Sequence, residues 1–184
     1  DVYKRQIQKG APKQEITGGA MGKNKTLVMF SGEMDKAIAG LIIANGVIAS
    51  GHHASIFFTF WGLNLLRKNE PVKVKKNFIE KMFGWMMPRG TKKAKLSQMN
   101  MVGIGTAMIK NIMKEKNVDS LPEMLQTAMD NGVTIQACQM SMDLMGIKRE
   151  ELIDGIEVVG VASMLAASDD SNGCLLYTSP SPRD

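Results

Sequence analysis

The chain has 184 residues, 44% of them hydrophobic, a net charge of +5 and two cysteines. That length suits one domain with a full core, the charge is too weak and too poor in interleaved aromatics for a nucleic-acid signature, and no apolar run reaches the roughly 18 residues that span a bilayer. No Cys-x-x-Cys or Cys/His cluster has zinc spacing, so no metal site is expected.

Both ends read as foreign. The codons for Asp1-Val2-Tyr3-Lys4-Arg5-Gln6, taken on the opposite strand one base in, spell Cys174-Leu175-Leu176-Tyr177-Thr178-Ser179. Residues 1–6 and 174–184 are therefore assigned to translated sequencing adapter and set aside from fold reasoning. Without them the charge falls to +4, because three basic and two acidic residues leave. Residues 7–24, rich in Lys, Gly and Gln, read as a flexible linker, which places a single domain over 25–173. With Cys174 set aside, Cys138 is the one native thiol; it cannot form an intrachain disulfide, and a reducing cytoplasm is the expected compartment.

The apolar run Thr26–Ser31 predicts a strand, and apolar positions 37, 38, 41, 42 and 48, interrupted by Asn45, predict the helix that follows Gly32. Gly51 ends that helix, and His53–Phe60 predicts a second buried strand leading into Trp61-Gly62 and a short helix through Arg67. A strand, helix and strand in that order imply parallel pairing and a sheet covered by helices. Residues 71–98 are less regular; an amphipathic stretch around Phe78, Met82, Phe83 and Met86 and a basic loop after Pro88 suggest an insertion or lid. A Met-rich helix over 101–116 follows, and Ser120-Leu121-Pro122-Glu123 opens the next with a capping box that Asn131-Gly132 closes. Residues 133–138 predict the third strand, 141–146 its helix, 148–152 a short helix, 157–161 a fourth strand and 162–168 a last helix.

In a parallel sheet, ligands gather where strands end and loops enter helices. Three such ends carry suggestive residues: Ser31-Gly32, Phe60-Trp61-Gly62 and Cys138. A cysteine is often a small buried apolar side chain, but at a strand-to-helix junction free N–H groups and the helix dipole favour thiolate, so a reactive Cys138 is the preferred reading. Met140, Met142 and Met145 stand at helical spacing and read as core in preference to a soft sulfur-lined pocket. His52 and His53 read as turn residues at the opposite edge of the sheet, Ser31 and Asp35 as helix caps, and Gly103-Ile104-Gly105 as too little of a dinucleotide fingerprint to count. The basic stretches Lys73-Val74-Lys75-Lys76 and Arg89–Lys95 read first as a solvated face; the functional alternative is a docking surface for an acidic protein or an anionic sulfur compound.

Three co-linear segments, Phe30-Ser31-Gly32-Glu33-Met34-Asp35-Lys36-Ala37, Phe57-Phe58-Thr59-Phe60-Trp61-Gly62-Leu63-Asn64 and Ala137–Gly146, resemble the DsrE/DsrF-like proteins over about residues 24–170. The likeness is strongest to the branch labelled peroxiredoxin-like, found fused behind CoA-disulfide-reductase, rhodanese and TusA-like domains, although no peroxidatic thioredoxin-type motif is present. The resemblance implies a flavodoxin-like three-layer α/β sandwich with a mainly parallel sheet. It further implies a homo-oligomeric sulfur carrier, resembling a sulfurtransferase more than a classical enzyme, with Cys138 accepting sulfane sulfur as a persulfide and passing it to a relay protein such as a rhodanese-like or TusA-like domain. No cofactor is called for. Backbone N–H groups of Gln139, Met140 and Ser141 are expected to stabilise the thiolate, with Ser31, Gly32, Phe60, Trp61 and Gly62 shaping the mouth. The rival reading is an oligomeric binding module in which Cys138 is structural.

Overall fold

The computed structural model describes residues 24–72, 74, 76–98, 103–168 and 174–176. The adapter-like start, most of the linker, Lys73, Lys75 and the chain beyond 176 lie outside these residues. Strand β1 is Lys25–Met29, helix α1 Met34–Ala49 and strand β2 Ala54–Phe58. A 3₁₀ segment, Phe60–Leu66, then leads to α2 (Phe78–Met86), α3 (Ile104–Glu115) and α4 (Leu121–Asp130). Strand β3 (Thr134–Cys138) passes directly into α5 (Gln139–Met145), and after a 3₁₀ turn at Arg149–Glu151 come β4 (Glu157–Val159), α6 (Val161–Ser168) and β5 (Cys174–Leu176).

The strands form one parallel sheet in the order β4-β3-β2-β1-β5. Leu27 stands opposite Ile56, Ile56 opposite Ile135, and Cys138 opposite Val159. From β1 to β4 the chain moves across the sheet in one direction, so right-handed crossovers put α1 to α4 on one face; only the step to β5 reverses, and it carries α6 to the other. The result is the expected three-layer sandwich, with one thick helical layer and one thin. Residues 174–176, set aside above, supply the β1 edge strand, pairing Leu27 with Cys174 and Met29 with Leu176. Ladder pairing needs only backbone groups, so a short apolar run can complete an open edge whatever its coding origin.

The thick layer holds the main core. Leu27, Met29, Ile56, Phe58, Ile135 and Ala137 alternate onto it and meet Met34, Ala37, Leu41 and Ala44 of α1 and Leu121, Met124, Leu125 and Ala128 of α4. Asn45, the polar break in the α1 pattern, is tolerated because its amide donates to the Leu41 carbonyl at 3.0 Å and its oxygen accepts from Asn131 at 3.2 Å. The capping box at α4 forms as expected: the Glu123 carboxylate accepts from both the backbone N–H and the hydroxyl of Ser120 at 2.7 Å. The irregular 71–98 excursion is tied down at several points. Met34 N–H donates to the Lys95 carbonyl at 2.8 Å, Gly90 N–H to the Asn64 carbonyl at 2.8 Å, and Ser97 N–H to Asp35 at 2.9 Å.

Candidate functional site

Alternation along β3 sends Ile135 and Ala137 into the main core and Cys138 to the thin face. Cys138 is the last residue of β3 and the N-cap of α5, in extended conformation at φ −70° and ψ 113°, so the strand-to-helix junction lies where the sequence put it. Accessibility does not follow. The free thiol is only 1% exposed, packed with Phe57 and Met164 and flanked by Val28 and Val159. Met164 of α6 is its cover, and the expectation of an open thiol fails because a distant helix folds back over it.

Of the three residues expected to support a thiolate, Gln139, Met140 and Ser141 do form the first turn of α5. Their side chains do other work. Gln139 donates to Asp143 at 3.0 Å, Met140 is exposed, and the buried Ser141 hydroxyl lies 2.8 Å from that of Thr59. That last contact pins α5 to the end of β2.

The expected mouth assembles as a tight joint. A Cβ on Gly62 would lie 2.3 Å from the Met29 carbonyl oxygen, and one on Gly32 would lie 2.6 Å from that of Trp61. Both positions require glycine because two backbones touch there. Phe60 holds φ +43°, a costly conformation for a bulky residue, with its ring 5.2 Å from that of Phe30. Ser31 bonds Glu33 through both its hydroxyl (2.9 Å) and the Glu33 N–H (3.2 Å), and Glu33 is the α1 N-cap. Asp35 corrects the capping reading more fully: its carboxylate is taken by Ser97, and although burial works to raise its pKa, those hydrogen bonds hold it below the ordinary carboxylate range. Met142 and Met145 are core, as their spacing indicated, whereas Met140, expected to join them, is exposed. His53 accepts from Lys25 N–H at 2.9 Å through its carbonyl, as a turn residue at the start of the sheet.

Exposed apolar side chains follow the strand ends at Phe30, Trp61, Met140 and Val161, with Leu144 and Leu165 exposed farther along α5 and α6. A second constellation was not visible in the sequence. Arg67, Lys76 and Arg89 converge on the fully buried Glu151 carboxylate, drawing one cation from each basic stretch inward. Nothing in the spacing marks it, since Arg67 and Glu151 lie 84 positions apart.

A family model described as DsrE/DsrF/DrsH-like matches residues 22–176. The chain is 52% identical over 150 residues to the uncharacterized protein YrkE of Bacillus subtilis, covering 82% of this chain and 94% of that one. It is 34% identical over 157 residues to the sulfur carrier protein DsrE2 of Allochromatium vinosum, covering 83% and 97%. Among solved structures it resembles a protein of unknown function, MTH1491 of Methanobacterium thermoautotrophicum, at TM-score 0.51 and 11% identity over 83% of this chain and 98% of that one, a likeness of fold alone. On the family match and the 34% identical sulfur carrier, the chain belongs to the DsrE/DsrF/DrsH-like family.

Proposed function

We propose that the protein is a sulfur carrier that holds sulfane sulfur as a persulfide on Cys138 and relays it to a partner thiol. The reading rests on the placement of Cys138 between β3 and α5, in a chain 34% identical to a protein named a sulfur carrier. The Cys138 thiolate attacks the outer sulfur of a donor persulfide and the donor thiolate leaves, one S–S bond breaking as another forms. An acceptor thiolate then takes the outer sulfur in the same way, and Cys138 returns as thiolate. No cofactor enters either step.

With the thiol 1% exposed, exchange requires α6 to lift Met164 away. That cover is weakly held: it is a short helix on the thin face, and local opening of such elements costs far less than global unfolding. The exposed apolar side chains that follow the strand ends supply a surface for a second copy of the chain and for a rhodanese-like or TusA-like donor or acceptor. Among the described residues no helix is long and apolar enough to cross a membrane, and the thiol chemistry suits the reducing cytoplasm.

Burial of Cys138 favours a second reading, an oligomeric binding module in which the cysteine is structural. Alkylation kinetics separate the two. With iodoacetamide at neutral pH, a carrier thiol reacts in the native chain much faster than global unfolding permits; a structural thiol reacts only as fast as the whole chain unfolds.

A further inference from the structure

The Glu151 carboxylate has no acceptor capacity to spare. Its Oε1 takes Arg67 Nη2 at 3.2 Å and pairs with Arg89 Nη1 at 3.2 Å, while Oε2 takes Lys76 Nζ and the Lys148 N–H, the latter at 3.0 Å. The Arg67 fork also reaches Asn64 at 3.3 Å and the Gly84 carbonyl at 3.5 Å. Three cations thus share one anion, and the neighbouring Lys148–Glu80 pair, at 3.4 Å, cancels itself. The cluster carries a surplus of two positive charges. Among the described residues Arg67 Nε is buried with no hydrogen-bond acceptor, and Arg89 Nη1 meets Glu151 as an ion pair without making a hydrogen bond. Arg67 is 1% exposed, and a buried cation with an idle donor is costly unless another anion supplies the balance.

The cations also surround a point in space. A Cβ built on Gly84, midway along α2, would lie 3.7 Å from Lys76 Nζ, 3.8 Å from Arg67 Nη2 and 3.9 Å from Arg89 Nη2. The three cationic groups thus stand together beside Gly84, each at ordinary contact distance from where a methyl would sit. Arg89, with its side chain 18% exposed, is the member that meets solvent.

We infer that Arg67, Lys76 and Arg89, gathered over Gly84, form a binding site for a small oxyanion of charge near −2, of the sulfate, thiosulfate or phosphate class. The anion enters past Arg89, which turns its free N–H groups to it, and takes up the surplus charge that Glu151 leaves. Two guanidinium groups and an ammonium suit such a ligand, because forked N–H donors match paired oxyanion oxygens. The site does not include Cys138 and stands whether or not that thiol carries sulfur.

The test is calorimetric titration of the full chain with sodium sulfate, thiosulfate and phosphate in turn, each at an ionic strength matched with sodium chloride to remove general screening. Saturable binding is expected. Preference for thiosulfate assigns the site to sulfur oxyanions, and equal affinities assign it to oxyanions generally. Arg89→Gln should weaken binding roughly tenfold or more through loss of a charged donor. Gly84→Ala puts a methyl at ordinary contact distance among the cations and favours the helix, so it should keep or raise the melting temperature while abolishing binding. A cluster that serves only to brace the fold gives no saturable heat in the wild type, or heat that survives Gly84→Ala, and either result overturns the assignment.

Discussion

Phe57 and Phe58 are neighbours in β2, both almost fully buried, yet they belong to different cores. Phe58 faces the thick layer, where α1 and α4 close over Leu27, Ile56 and Ile135. Phe57 faces the thin layer, where Met164 of α6 packs with Cys138. The difference follows from chain direction, since the single reversed crossover, from β4 to β5, is the one that carries α6 to that face. A thin cover is a poor way to secure a core; under the proposed function it would keep the Cys138 thiol dry until an exchange partner arrives.

Substitutions on the two faces sharpen that contrast. Phe58→Ala should cost about 3–5 kcal/mol in denaturant unfolding, the usual cost of an aromatic cavity in a packed core. Phe57→Ala should cost about 3 kcal/mol or less, because α6 can settle into the space; equal losses at the two positions would break the comparison. At the rim of the thick layer, Glu151→Gln leaves three cations facing one another and should cost about 3 kcal/mol or more.

The same carboxylate predicts a pH dependence. Burial works to raise the Glu151 pKa, but hydrogen bonds from Lys76 and the Lys148 N–H outweigh it, and the group sits below the ordinary carboxylate range. A depressed folded pKa means that its stabilisation is complete above the unfolded value, near about 4.3, and is lost as pH falls through the folded one. Acid unfolding of the wild type should therefore be steeper below about pH 4 than that of Glu151→Gln, as circular dichroism would record.

Smaller effects probe the cover itself. Met164→Ala should cost about 2 kcal/mol of stability and raise the iodoacetamide rate at Cys138 roughly tenfold or more, since removing the buried side chain lowers the cost of opening. Cys138→Ala should cost only about 1 kcal/mol, because one small side chain leaves a cluster that can close up.

Strands β1 to β4 and their helices were legible because apolar runs, Gly51, the Ser120 capping box and Asn131-Gly132 are local signals; β5 was not, since residues 174–184 read as foreign. The Cys138 junction was legible for the same reason. Its burial was not: Met164 lies in another helix, and no periodicity around residue 138 reports a contact made by tertiary folding. Lys76 and Arg89 read as solvated charge because the carboxylate that draws them inward is remote in sequence. Gly32 and Gly62 were expected to shape a pocket mouth; what the structure shows at them is close backbone approach, to the Trp61 and Met29 carbonyls respectively.

Intact-mass measurement after brief polysulfide treatment of the native chain, followed by a small acceptor thiol, tests the relay most directly. A gain of one sulfur at Cys138, released to the acceptor and absent in Cys138→Ser, is the predicted result. No sulfur gained either in the native chain or in Met164→Ala would contradict it.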